Sequence, residues 1–209
     1  MTDPFRVARA PAAIVAVSAW AGLILQAMIT VRATLASGGT LVDALVLYFG
    51  YFTLLTNLFV ALVASTTLVA PRRWFARASV RGCATTAILL VGVAYHLLLR
   101  EIWDPQGAQK VADVTLHYVT PALAVLWWLW VPPPGRLGAR VPLAWALYPL
   151  AYFAYALVRG AWLQTYPYPF IDVPALGYPR VWLNAIGLAG VFLVFGYALW
   201  GVARWRLRG

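Results

Sequence analysis

The chain has 209 residues, of which 63% are hydrophobic and only 11% are charged, and its mean hydropathy is +0.78. This composition excludes an ordinary water-soluble globular protein, because too few polar side chains are present to cover a water-facing surface. The formal net charge of +10 at pH 7 therefore indicates membrane orientation and contact with anionic lipid, and not nucleic-acid binding.

Six apolar stretches approach the length of about 20 residues that a helix needs to cross a hydrocarbon core about 30 Å thick. Because backbone groups in lipid must bond within their own segment, each stretch is predicted to be a helix. The sequence thus predicts an all-α integral membrane protein, a single domain over residues 1–209 built as a six-transmembrane-helix bundle. The predicted spans are approximately 12–30, 44–70, 83–103, 115–131, 142–161 and 183–205.

The basic residues indicate the orientation of this bundle. Eleven of the 16 lie near the two termini and in the connections after the second and fourth spans, whereas five of the six acidic residues lie on the opposite side. By the positive-inside rule, both termini are predicted to be cytoplasmic.

The second span carries three hydrogen-bonding side chains close together, Thr53, Thr56 and Asn57. Thr53 and Asn57 are four residues apart and so share one helix face. A threonine in a membrane helix commonly bonds the carbonyl one turn back, so either threonine alone says little about function. Together the three predict a polar lining within the bundle, since polar groups inside a membrane are costly.

Two further pairs of polar residues are also spaced four apart. His96 and Arg100 lie in the third span, and Asp113 and His117 lie at the start of the fourth. This spacing lets Asp113 orient the ring of His117, as a general base requires. The alternatives are that Asp113 is a helix N-cap and that each histidine serves interhelical packing.

The connection over residues 161–182 contains four prolines and many aromatic residues, so it is not predicted to be a regular helix. This connection is predicted to lie on the outer side of the membrane. Tyr168, Phe170 and Asp172 are candidates for the rim of a substrate entrance. The competing interpretation is that these aromatic residues anchor the protein at the membrane interface.

Four segments, in order along the chain, resemble the androgen-induced membrane hydrolase family and especially its bacterial six-span branch. They are "YFTLLTNLFV" in the second span, "REIWDP" after the third, "LHYVTPALAVLWW" in the fourth and "YPFID" before the sixth. The resemblance implies a hydrolase of fatty acid esters of hydroxy fatty acids that uses a threonine nucleophile and a histidine. By this resemblance the threonine nucleophile corresponds to Thr53, with Thr56 as an alternative, and the histidine corresponds to His117. A bacterial cytoplasmic membrane is the implied location.

The chemistry that this resemblance implies needs a base, because a threonine hydroxyl is a poor nucleophile at neutral pH. His117 is the expected base, and Asn57 or Arg100 would donate to the oxyanion. Counting about 1.5 Å per residue, Thr53 lies about 14 Å from the outer end of its predicted helix and His96 about 10 Å, whereas His117 lies within the first turn of its own. The count therefore leaves His96 as a rival base.

Two other functions stay open at this stage, a non-enzymatic protein that binds lipid or another small molecule, and a transporter. The second is less expected because no acidic residue lies deep in a span and no inverted repeat is present. The expected partners are membrane lipids and a lipid-like ester, with no nucleic acid. No cofactor is expected, and no metal, because the two histidines, the scattered acids and the single Cys83 have no familiar ligand spacing.

Overall fold

A computed structural model describes residues 4–71, 73–131 and 135–206, with side chains from residue 9 onward. Within these ranges every regular element is helical. The helices are α1 Pro4–Ala36, α2 Leu41–Tyr48, α3 Phe52–Val69, α4 Ala78–Ala94, α5 Gly107–Val114, α6 Thr120–Trp130, α7 Val141–Trp145, α8 Leu147–Leu163 and α9 Val173–Arg206. Two π-helical turns, Tyr95–Leu99 and Thr115–Val119, follow α4 and join α5 to α6, and short 3-10 turns lie at Trp74–Ala76 and Pro169–Ile171.

Five helical segments are long and apolar enough to cross a membrane, which supports an all-α membrane protein. They are Arg9–Ala36, Phe52–Val69, Ala78–Leu99, Val141–Leu163 and Val173–Arg206. Large apolar side chains on their outer faces are exposed, for example Val158 and Trp162 of α8. Such faces are stable only against lipid or another apolar partner.

The predicted fourth span has a different character from the other five. Its residues belong to α5, the π-helical turn Thr115–Val119 and α6, which follow one another without a gap from residue 107 to residue 130. None of the three pieces reaches 18 residues, so this span is not among the five segments above. The helical segment begins at Gly107, eight residues before the predicted start of the span.

The structure divides the predicted 44–70 helix into two. A capping box begins α2: the Thr40 side chain accepts from the Asp43 N–H, and the Asp43 carboxylate accepts from the Thr40 N–H. The helix ends at Tyr48, and α3 starts after Tyr51, whose backbone is extended. The prediction of one helix was wrong because the run of apolar residues continues through this break.

One face of α8 stabilises the break by bonding the carbonyls that the interrupted helix leaves free. Arg159 donates to Val46 O at 3.2 Å, Tyr155 to Phe49 O at 3.3 Å and Tyr152 to Gly50 O at 2.9 Å. These three α8 residues are spaced three and four apart, so they share a face. A Cβ at Gly50 would lie 2.8 Å from Arg159 Cζ, so a side chain there would displace the guanidinium from these bonds.

Small residues bring α1 close to α3 at the centre of the bundle. Ala12, Ala16 and Ala19 of α1 and Ala61 and Ala64 of α3 are all buried, and α1 and α3 form an extensive helix pair. In lipid, close backbone approach through small residues drives helix association. This packing fixes α3, on which the polar residues of the second span lie.

A buried arginine joins α4 to the end of α6. Arg81 is only 3% exposed and donates to the carbonyls of Trp127, at 2.9 Å, and Val131. Its guanidinium also lies 4.3 Å from the centroid of the Trp127 ring. A cation at a helix C-terminus satisfies free carbonyls and favours the helix dipole, so Arg81 fixes α6 relative to α4.

Candidate active site

Thr53 lies in the first turn of α3, directly after the break, and its side chain meets His117. Thr53 Oγ1 is 3.2 Å from His117 Nε2, within hydrogen-bond distance. Thr53 is 7% exposed. The depth count that favoured His96 assumed a helix beginning at residue 44. In the structure α3 begins at Phe52, and the helical segment that contains His117 begins at Gly107 and not at residue 115, so the count used two wrong helix starts.

The ring of His117 is oriented through its other nitrogen, Nδ1. Nδ1 is 3.0 Å from the backbone carbonyl oxygen of Asp113, which accepts its hydrogen. The carboxylate oxygen Asp113 Oδ1 is 3.1 Å from the same nitrogen, but the direction of this contact is poor for a hydrogen bond. With Nδ1 donating, Nε2 is left as an acceptor for the Thr53 hydroxyl.

Asp113 is a buried orienting group and does not cap a helix start. It lies near the C-terminal end of α5, which begins at Gly107, so the N-cap alternative is wrong. Asp113 is 5% exposed, and its second carboxylate oxygen accepts from the Tyr95 hydroxyl at 2.6 Å. The sequence of contacts is therefore Tyr95, Asp113, His117, Thr53.

Tyr95 makes a second contact, which was not predicted from the sequence. Its ring stacks on the His117 ring, with centroids 3.8 Å apart and planes 17° apart. Tyr95 and His117 each belong to one of the two π-helical turns, a feature found often at functional sites. The available signal was a tyrosine hydroxyl inside a span, which needs a polar partner when buried.

Tyr168 lies beside Thr53, deeper than an entrance residue. The Thr53 N–H donates to the Tyr168 hydroxyl oxygen at 3.3 Å, and the two hydroxyl oxygens are 3.4 Å apart. Burial raises the pKa of the Tyr168 hydroxyl, so at neutral pH it keeps its proton and remains a donor. The Phe170 ring stacks on the Tyr168 ring, with centroids 5.1 Å apart.

Asp172 lies away from this cluster. Its carboxylate accepts from the Ala175 N–H at 3.3 Å, and its carbonyl accepts from the Leu176 N–H. These are the contacts of a helix N-cap, here at the start of α9.

Thr56 and Asn57 have structural partners. Thr56 Oγ1 is 3.1 Å from the Tyr148 hydroxyl of α8, away from His117. Asn57 Nδ2 donates to Thr53 O at 2.8 Å and to Leu116 O at 3.2 Å. Both Asn57 amide hydrogens are therefore used in joining α3 to the π-helical turn that carries His117, which leaves neither to donate to an oxyanion.

His96 and Arg100 form a separate group on an exposed face. His96 Nδ1 is 3.3 Å from the Tyr118 hydroxyl, and its Nε2 is 3.3 Å from Arg100 Nη1. Arg100 also pairs with Glu101 at 2.7 Å. Neither His96 nor Arg100 lines the two cavities that contain Thr53, so the geometry brings His117, and not His96, to the threonine.

Thr53 lies where two cavities of different chemistry meet. A cavity of about 390 Å³ contains polar side chains, including Gln26, Thr30 and Gln109 besides Asp113 and His117. A smaller cavity of about 100 Å³ has an almost entirely apolar lining, contributed by α3, α4, α8, α9, the π-helical turn after α4 and the connection before α9. The residues common to both are Thr53, Tyr95, Leu99 and Tyr168. An ester bond at Thr53 would thus have a polar cavity on one side and an apolar cavity on the other.

The side chains of this site suit proton transfer and nucleophilic attack. Among the residues described by the structure, no three His, Cys, Asp or Glu side chains are grouped so as to hold a metal ion.

A comparison with protein-family models, with curated proteins and with solved structures found no match to the chain.

Proposed function

We propose that this protein is an integral membrane ester hydrolase in which Thr53 is the nucleophile and His117 the general base. The observation that carries the proposal is the 3.2 Å contact between Thr53 Oγ1 and His117 Nε2, with His117 Nδ1 held by Asp113. A nucleophile, a base and a group that orients the base are the three components of an activated hydroxyl.

In the first step, Thr53 Oγ1 attacks the ester carbonyl carbon while its proton passes to His117 Nε2. The Tyr168 hydroxyl, 3.4 Å from Thr53 Oγ1, donates to the resulting oxyanion. Collapse of the intermediate breaks the bond to the alcohol, which takes the proton from His117. The product bound to the protein is an acyl-threonine.

In the second step, a water molecule from the polar cavity attacks the acyl-threonine carbonyl. His117 accepts the proton of the water and returns it to Thr53 Oγ1, which releases the fatty acid. Asp113 holds the imidazole throughout and stabilises its positive charge when His117 is protonated. The net reaction is ester plus water to acid plus alcohol, so these steps consume no reactant besides water.

The proposed substrates are fatty-acyl esters in the membrane, such as fatty acid esters of hydroxy fatty acids. The apolar cavity of about 100 Å³ suits part of an acyl chain, and the polar cavity of about 390 Å³ suits the ester's alcohol side and water. The resemblance of four segments to the androgen-induced membrane hydrolases points to the same class of substrate.

We further propose six spans, with both termini in the cytoplasm of a bacterial cell. The segment from residue 107 to residue 130 has 24 helical residues, a length of about 36 Å at about 1.5 Å per residue. If this segment is a span, one side of the membrane holds the start of α3, the end of α4, the start of α5 and the connection after α8. The candidate active site lies among these ends, in the outer half of the membrane.

The test is hydrolysis of a palmitoyl ester of hydroxystearic acid by the purified protein in proteoliposomes. Wild type and Thr56→Ala are expected to release palmitate, whereas Thr53→Ala and His117→Ala are expected to lose the activity. His96→Ala is a matched histidine control that should stay active. Binding of the ester without hydrolysis by a folded wild type would refute the proposal and favour a lipid-binding protein.

A further inference from the structure

We propose that a cleft between α4 and α9 is the route by which the acyl chain of a membrane-dissolved ester reaches Thr53. The inference rests on the proposed function for its substrate, but the cleft itself is a feature of the fold. It has a volume of about 370 Å³ and lies outside the small apolar cavity at Thr53.

The cleft opens on the lipid-facing surface of the bundle. Leu97 and Leu98 contribute from the π-helical turn after α4, and Leu183 and Val191 from α9. All four are exposed apolar side chains. Asn184 is the one polar residue of the lining, and its Nδ2 already donates to Phe170 O at 2.9 Å. An apolar, laterally open cleft favours a hydrocarbon chain over water or a polar headgroup.

The inner wall of the cleft is also the wall of the cavity at Thr53. The two spaces share Leu90, Ala94, Phe170 and Leu188, all with apolar side chains. The hydrogen bond from Asn184 reaches only the Phe170 backbone carbonyl, so the side chains of this wall are held by packing. The ring of Phe170 stacks on Tyr168, which itself contacts Thr53. Rotation of the Phe170 side chain would therefore join the bilayer to the reacting hydroxyl.

The volumes also favour an opening of this kind. The inner cavity, at about 100 Å³, is much smaller than the cleft, at about 370 Å³, so a long acyl chain bound at Thr53 has to extend outward. The polar cavity on the other side contains Gln26, Gln109, Asp113 and His117. A hydrocarbon chain there would strip water from polar groups without replacing their hydrogen bonds. The cleft between α4 and α9 is the apolar way out.

Two glycines of α9 provide a matched test. Gly187 lines the cleft and Gly190 does not, yet both are exposed and a Cβ at either position meets no atom within 4 Å. A side chain can therefore begin at either position without a clash at its Cβ. In Gly187→Trp it fills the cleft, whereas in Gly190→Trp it adds a similar apolar surface beside it.

The first measurement uses nanodiscs that contain a palmitoyl ester with a diazirine in mid-chain, and a Thr53→Ala background that prevents turnover. The readout is photolabelling of Val91, which is 5% exposed and lines only the inner of the two spaces. Gly187→Trp is expected to lower this labelling about tenfold, Gly190→Trp to leave it unchanged, and Phe170→Ala to raise it. Equal Val91 labelling in Gly187→Trp and its parent would overturn the route.

The second measurement separates failure of the route from failure of the proposed function. With Thr53 intact, Gly187→Trp is expected to lower the ratio of kcat/KM for the palmitoyl ester to that for p-nitrophenyl acetate by about tenfold. An unchanged ratio would contradict the route alone. If Thr53→Ala hydrolyses p-nitrophenyl acetate as fast as wild type does, the proposed nucleophile is wrong, while the photolabelling result still decides the route.

Discussion

Replacing Asp113 by asparagine separates two tasks that an orienting carboxylate performs, namely fixing the histidine tautomer and stabilising its positive charge. Here the tautomer has a second support, because His117 Nδ1 also bonds the Asp113 backbone carbonyl at 3.0 Å. That carbonyl remains in Asp113→Asn. The amide can also present its oxygen to His117 and its NH2 group to the Tyr95 hydroxyl, so the ring should keep its orientation.

The Asp113→Asn substitution is therefore expected to lower the catalytic rate only by the contribution of one charged contact. Because the contact of Asp113 Oδ1 with His117 is poorly directed for a hydrogen bond, its loss should cost no more than a hydrogen bond to a charged group, which contributes about 1.5 to 3 kcal/mol, or about 10- to 150-fold in rate. Where the carboxylate alone fixes the tautomer, the same substitution costs about 10⁴-fold. The Asp113→Asn variant should thus retain measurable activity, well above that of His117→Ala.

The assay is kcat/KM for p-nitrophenyl acetate in detergent, with gel filtration as the check on folding. Asp104→Asn removes an exposed carboxylate and serves as the control, with activity expected to match wild type. A loss of about 10⁴-fold in Asp113→Asn, equal to the loss in His117→Ala, would refute the role given to the backbone carbonyl. No loss at all would refute the role of the carboxylate.

Three further variants test the site, the packing and a helix cap. Tyr168→Phe removes the proposed donor to the oxyanion and should lower kcat for the same ester about 10²-fold with little change in KM; an unchanged kcat would exclude that role. Gly82→Ala places a Cβ 2.3 Å from Trp145 Cζ2 and should destabilise the protein by about 1 to 3 kcal/mol, which lowers its Tm. The control is Gly201→Ala, whose Cβ meets no atom within 4 Å and whose Tm should match that of wild type. Hydrogen bonds from the Thr40 side chain and, to a lesser extent, from its backbone N–H lower the pKa of Asp43. The capping box therefore stabilises the folded protein above the ordinary aspartate pKa, and this stabilisation is lost as the pH falls through the lowered pKa of Asp43. The Tm of Asp43→Asn should accordingly depend less on pH in the acid range than that of wild type, and parallel curves would contradict the capping box.

The helical membrane class and the approximate positions of most spans follow from the sequence because they depend on local composition. Residues 12–30 fall within α1 and residues 183–205 within α9. The break at residues 49–51 could not be predicted in this way. It depends on Tyr152, Tyr155 and Arg159 of α8, which satisfy the free carbonyls from about 100 residues away.

The pairing of Thr53 with His117 was implied by a resemblance and not by spacing, and the depth count pointed partly to His96. That count was misleading because it took the start of α3 from an unbroken apolar run. Other contacts depend on tertiary structure alone. Tyr95 stacks on a histidine 22 residues away, and Tyr168 turns inward from a proline-rich connection to contact Thr53. Neither contact has a local pattern in the sequence.

The most direct test of the central claim is to identify the residue that a fluorophosphonate modifies in the purified protein. An activated hydroxyl displaces the fluoride and leaves a stable phosphonyl adduct that mass spectrometry can assign to one residue. We expect the adduct on Thr53, present in Thr56→Ala and His96→Ala and absent in Thr53→Ala and His117→Ala. An adduct on Thr56, labelling that persists in Thr53→Ala, or no labelling of folded wild type would contradict an activated Thr53.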